Sequence, residues 1–142
     1  MVHARWQATA LSGEGAALYP GRWNQAGLRA VYLADSLALA VLETLVHLEA
    51  TDTTEPYLAI EVDVPDDTIE WPANLPAGLE NDLAVTRKLG SEWLRSGKAL
   101  ALRVPSALVP DGRNLLVNPA HPAMAQIRES RRLPFRYNIR LL

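Results

Sequence analysis

The chain has 142 residues and a mass of 15.6 kDa, a length for which one domain around a single hydrophobic core is the simplest organisation. Hydrophobic residues make up 49% and charged residues 21%, a globular balance that argues against disorder, and the net charge of −2 gives no general attraction to nucleic acid or anionic membranes. Cysteine is absent, which excludes disulfides and cysteine-based metal sites; with no signal-peptide core and no apolar run of membrane-span length, a soluble cytoplasmic protein is expected.

Residues 3–9 are expected to form a short edge strand or arm. The following segment, 11–20, contains Gly13, Gly15 and Pro20 and reads as a loop, without the spacing of a P-loop or a dinucleotide fingerprint. Residues 30–34 predict a strand, with Asp35 or Ser36 placed to cap a helix over 37–48. In that helix Ala38, Val41, Leu42, Leu45, Val46 and Leu48 form a wide apolar face. Ser36, Ala40, Glu43 and His47 fall together on the narrow stripe that remains. Such a stripe is either solvated surface or the wall of a pocket.

The alternation over 57–64, with Leu58, Ile60, Val62 and Val64 on one side and Ala59, Glu61 and Asp63 on the other, predicts a strand with one solvated face. Residues 65–80 read as an ordered loop, after which Asn81 is expected to cap a helix through Ser96. Val85, Leu89 and Trp93 would face inward and Gly97 would stop the helix. Strands are expected over 99–104, closed by Pro105 and Ser106, and over 114–117, closed by Asn118 and Pro119. Residues 127–132 read as a short helix or loop and 135–141 as a C-terminal strand. Irregularly spaced strands around two helices imply an α+β fold with a mixed, mostly antiparallel sheet and flanking helices.

The chemistry is densest in 21–48, where Arg22, Tyr32 and Glu43 flank a strand-to-helix passage. Read alone, each has an ordinary role: Arg22 steadies a turn, Tyr32 packs in the core and Glu43 is solvated. Ser106 and Asn118 would be turn-formers. His3, His47 and His121 lack the spacing of a helical zinc motif, so no metal site is expected; His47 either supports Glu43 or faces solvent.

Five segments taken together carry more. They are G-R-W-N-Q-A-G at 21–27, V-Y-L-A-D-S at 31–36, A-L-A-V-L-E-T-L-V-H-L at 38–48, V-P-S-A at 104–107 and N-L-L-V-N-P-A-H-P at 114–122. In this order the chain resembles the RES domain family, toxins of bacterial RES–Xre toxin–antitoxin pairs. The resemblance implies a fold related to ADP-ribosyltransferase toxins and an enzyme that cleaves the nicotinamide–ribose bond of NAD. The acceptor would be water, inorganic phosphate or a protein. It implies catalytic roles for Arg22, Tyr32, Glu43 and Ser106, with Trp23 and Asn118 lining the pocket. NAD is then a substrate, with inorganic phosphate as a second one in the phosphorylase case, and no separate cofactor is needed. The partner it implies is an Xre-like helix-turn-helix antitoxin that blocks the active site and carries any DNA contact; a homodimer within the complex is compatible. One departure from better-known ADP-ribosyltransferases stands out: Glu43 comes early, on a helix, whereas their catalytic glutamate comes late.

On that reading Arg22 would bind the diphosphate. Tyr32 would stack on nicotinamide or donate to a ribose or phosphate oxygen. Glu43 would stabilise the charge developing on the ribose, hold a ribose hydroxyl or orient the acceptor. Ser106 has no paired base, which disfavours a serine nucleophile. The rival to an enzyme is an inactive domain that uses the pocket to dock a partner.

Overall fold

A computed structural model describes residues 1–48 and 55–141. The fold is α+β, as expected, with the strands divided between two sheets. The first is antiparallel, in the order β1 (Val2–His3), β3 (Tyr57–Asp63), β7 (Arg128–Phe135). The second has the order β2 (Val31–Ala34), β6 (Arg113–Val117), β5 (Ala101–Pro105), β4 (Ile69–Glu70), antiparallel except for the β4–β5 pair. Among the described residues three α-helices accompany them: α1 (Glu14–Leu18), α2 (Leu37–Leu45) and α3 (Leu83–Ser96).

The second sheet is buried on both faces. On one, Leu102, Val104 and Leu116 pack with Trp93 and Leu94 of α3 and with Trp23 and Ala30. On the other, Val31, Leu100, Ala101 and Val117 pack with Val64, Ile69, Met124 and Ile127. A third, smaller cluster joins Val41 of α2 to Tyr57 and Tyr137, whose rings meet edge-on at 5.3 Å.

Local chemistry explains most boundaries. Ser36 caps α2 by accepting from Leu39 N–H, so of the two expected cap residues it is the serine that serves. Asp82, not Asn81, caps α3 by accepting from Val85 N–H. At the other end Gly97 takes a left-handed φ of 61°, the helix stop that a glycine favours.

Several expectations need correction. Of residues 3–9, expected as an edge strand or arm, His3 ends the edge strand β1 and 4–9 form a 3-10 helix, its start fixed by the His3 ring accepting from Arg5 N–H. The expected loop 11–20 contains α1, and 65–80 contains two 3-10 turns and β4. Strand β7 replaces the expected helix or loop at 127–132, and the C-terminal residues 139–141 form a 3-10 turn rather than a strand. The aromatic alternation at Phe135 and Tyr137 reflects packing of those rings on each other and on Tyr57. In β3, Ala59 is buried although its face was expected to be solvated; a bulge between Glu61 and Val62 breaks the register. Val85 and Leu89 are partly exposed, because α3 turns Thr86, Gly90 and Ser91 inward together with Trp93. Among the described residues no helix is long and apolar enough to cross a membrane.

Candidate active site

The turn Gly21–Asn24 is built on one side chain. Asn24 is fully buried; its Oδ1 accepts from Gly21 N–H and from the Tyr32 hydroxyl, and its Nδ2 donates to the carbonyls of Ala16, Gln25 and Leu28. Every hydrogen-bonding atom of that amide is used, which is what burial of a polar group requires. The Tyr32 hydroxyl also accepts from Trp23 N–H at 3.0 Å, and burial pushes its pKa up to about 12. Gly21 is needed for contact: a Cβ there would lie 2.8 Å from the end of the Tyr32 ring.

Helix α3 presses on the same turn from outside. A Cβ at Gly90 would stand 1.9 Å from the Trp23 carbonyl oxygen, so only glycine permits this approach. Ser91 Oγ accepts from Gln25 N–H at 2.9 Å, and Arg87 donates through Nε to the Gly21 carbonyl and through Nη2 to that of Pro20. Arg22, held in the middle, donates Nη1 to the Glu80 carbonyl at 2.7 Å.

On the far side of β2, the stripe of α2 becomes the wall of a cleft. Ser36, Ala40, Glu43 and His47 all line a cavity of about 1250 Å³, together with Arg22, Trp23, Tyr32 and Arg87. The opposite wall comes from the first sheet, including Glu61 and Arg131. Glu43 is fixed by one oxygen: its Oε1 accepts from Ser106 Oγ and from Asn114 Nδ2, each at 2.7 Å. Oε2 has no hydrogen bond among the described residues. Because a carboxylate only accepts, Asn114 must turn its NH₂ toward Glu43. Its Oδ1 is then left buried and without a partner among the described residues.

The site residues expected from the sequence therefore divide. Arg22, Trp23, Tyr32 and Glu43 share the cleft. Ser106 lies behind Glu43, and its hydroxyl is fully engaged: it donates to Glu43 and accepts from Leu108 and Val109 N–H. That occupancy makes it a support for the carboxylate rather than a group facing substrate. Asn118 is elsewhere. It is buried at the opposite end of β6 from Asn114, donating to the Leu94 carbonyl and accepting from Ala120 N–H. Four steps along the chain separate the two by roughly 13 Å, and Asn114 is the asparagine of that segment that reaches the cleft.

Asn114 and Arg87 are the residues that sequence reasoning missed. A polar residue opening the apolar strand N-L-L-V was a signal for the first; nothing marked Arg87 among the polar residues of its helix. His47 borders the cleft, exposed and without a hydrogen bond to Glu43, whereas His3 and His121 each accept a backbone N–H at a 3-10 helix start.

The fold is thus an α+β one in which a helix-borne carboxylate, Glu43, and two half-buried guanidinium groups, those of Arg22 and Arg87, line one cleft. The chain belongs to the RES domain family, matching it over residues 1–138. It is 39% identical over 144 residues to the Prs ADP-ribosylating toxin of Sphingobium sp. strain YBL2, covering 96% of this chain and 89% of that protein. It is 41% identical over 127 residues to Toxin Res of Yersinia enterocolitica, covering 85% and 82%. Its fold matches the crystal structure of the M. tuberculosis MbcT–MbcA toxin–antitoxin complex with a TM-score of 0.69 at 24% identity, over 87% of this chain and 76% of that one.

Proposed function

We propose that this protein is the toxin of a toxin–antitoxin pair and that its cleft breaks the nicotinamide–ribose bond of NAD. The observation that carries the reading is Glu43, anchored by Ser106 and Asn114 through Oε1 and open through Oε2. A carboxylate held in this way is preorganised for positive charge on a ribose ring. In the reaction the C1′–N bond breaks and its electron pair leaves with nicotinamide, a neutral leaving group that needs no general acid. The ribose acquires oxocarbenium character, which Glu43 stabilises from one side. An acceptor oxygen then bonds to C1′ and gives its proton to solvent or to Glu43.

The remaining residues position the dinucleotide. Arg22 holds the diphosphate, and the open face of the Tyr32 ring packs against the base or ribose. Tyr32 is not a proton donor to substrate on this account, since its proton is committed to Asn24. The unpartnered Oδ1 of Asn114 suits a ribose hydroxyl donor beside Glu43. Trp23 closes the base of the cleft and Ser106 keeps the carboxylate in place.

Water or inorganic phosphate as acceptor makes the enzyme a glycohydrolase or phosphorylase; both degrade NAD. A second reading, transfer of ADP-ribose to a protein, is favoured by the name of the Sphingobium relative, an ADP-ribosylating toxin. The partner is an antitoxin of the Xre type that occludes the cleft, in keeping with the toxin names of the relatives. Inducing the protein in bacteria should arrest growth and, in the degradative case, empty the NAD pool. Glu43→Gln should do neither. Adding NAD labelled in its adenylate part to lysate distinguishes the readings: label remaining in small molecules supports degradation, and label on one protein band supports transfer. Growth arrest with intact NAD and no labelled protein would defeat both.

A further inference from the structure

We infer that Arg87 is a second ligand of the substrate's diphosphate, forming with Arg22 a two-guanidinium clamp on one wall of the cleft. The inference rests on the NAD reading above and extends it to a residue on a different element. Arg22 belongs to the turn after Pro20, whereas Arg87 stands in the middle of α3.

Three observations carry it. First, Arg87 lines the cleft together with Pro20, Gly21, Arg22 and Tyr32, and its charge acts on the Tyr32 hydroxyl, lowering that group's pKa against the larger effect of burial. Second, its fixed bonds go to two main-chain carbonyls, through Nε to Gly21 and through Nη2 to Pro20. Arg22 is fixed in the same manner, through Nη1 to the Glu80 carbonyl. Neutral carbonyls orient both guanidiniums without neutralising them, and Nη1 of Arg87 and Nη2 of Arg22 keep their N–H donors unspent among the described residues. Third, neither arginine has a carboxylate partner among the described residues, whose ion pairs involve His3, Arg29 and Arg132 instead.

Two half-buried cations without counterions, brought together by a bond from one to the residue preceding the other, are costly unless an anion arrives. The anion that matches is a dianionic diphosphate, whose oxygens take forked N–H donors from both sides. Burial in the turn also explains why lysine would serve poorly at 87. An ammonium group is a single point charge and cannot bond Gly21 and Pro20 while presenting a further edge to phosphate.

Calorimetric titration of the folded protein with ADP-ribose, repeated across a range of salt concentrations, tests this. Arg87→Gln should weaken ADP-ribose binding by about 10- to 100-fold and flatten its salt dependence, because one phosphate contact of full charge is gone. Arg87→Lys should retain the salt dependence yet bind about 3- to 10-fold more weakly than the wild type, for want of the fork. A purely structural Arg87 would lower the melting temperature without altering the salt dependence of binding. Wild-type affinity in Arg87→Gln, or in Arg87→Lys should the glutamine variant not fold, would overturn the clamp and leave the NAD reading standing. If the wild-type protein itself ignores ADP-ribose, the clamp and the NAD reading both fall.

Discussion

At the scale of single residues, the site separates groups that face the cleft from groups that hold them. Ser106 belongs to the second kind. Removing its hydroxyl leaves Leu108 and Val109 N–H without their acceptor and takes one of the two bonds from Glu43 Oε1. Ser106→Ala should therefore cost about 1–3 kcal/mol in urea unfolding and reduce turnover about tenfold. That is well short of the 10²–10³-fold loss of about the size expected when a preorganised charge such as Glu43 is removed. Tyr32 is also a support. With its folded pKa near 12 against about 10 when unfolded, the phenol is neutral in both states below pH 10. As pH rises from 10 towards 12 the unfolded chain gives up this proton first, so stability falls over that window. Tyr32→Phe should show a shallower loss of melting temperature between pH 10 and 11.5. Burial likewise raises the Tyr137 pKa and leaves part of the slope in place.

At the scale of elements, the decisive contact is α3 against the Gly21–Asn24 turn. A methyl group at 90 would collide with the Trp23 carbonyl, a backbone atom that cannot swing away. Gly90→Ala should destabilise the protein by about 3 kcal/mol, near the upper end for overpacking. Because the displaced helix carries Arg87 and the displaced turn carries Arg22, ligand affinity should fall as well. Thermal melts together with an ADP-ribose titration would measure both. The sequence showed α2 and α3 well, since caps and 3.6-residue periodicity are local signals. It also placed Ser36, Ala40, Glu43 and His47 on one stripe, and that stripe became the cleft wall. The buried face of α3 was harder: Thr86, Gly90 and Ser91 are small or polar and are turned inward by a turn more than 60 residues earlier in the chain. Strand β7 was missed for a similar reason. Its R-E-S-R-R-L-P-F sequence has no alternation to read, and what makes it a strand is pairing with β3.

At the scale of the whole molecule, the two sheets meet across the cleft, and no single segment contains it. Arg22, Tyr32 and Glu43 were legible as a group because they lie close together in sequence. The resemblance to a known family supplied the proposed substrate, which composition and periodicity left open. Asn114 and Arg87 became visible only in three dimensions, where β6 and α3 reach the ends of that segment. Asn118 shows the converse: its position in a familiar stretch suggested the pocket, but strand geometry carries it to the other end of β6. The cavity is mixed in charge, lined by Asp35, Glu43 and Glu61 as well as by Arg22, Arg87 and Arg131, so it is the placement of Arg22 and Arg87 on the wall around Gly21, rather than the overall charge of −2, on which the proposed diphosphate site rests.

The most direct measurement is release of nicotinamide from NAD by the purified protein, with and without inorganic phosphate and a lysate as acceptor source, for wild type and Glu43→Gln. The account predicts release by the wild type in at least one of these conditions and a loss of about 10²–10³-fold in a folded Glu43→Gln variant. Undiminished release by Glu43→Gln, or intact NAD with the wild type under every condition, would contradict it.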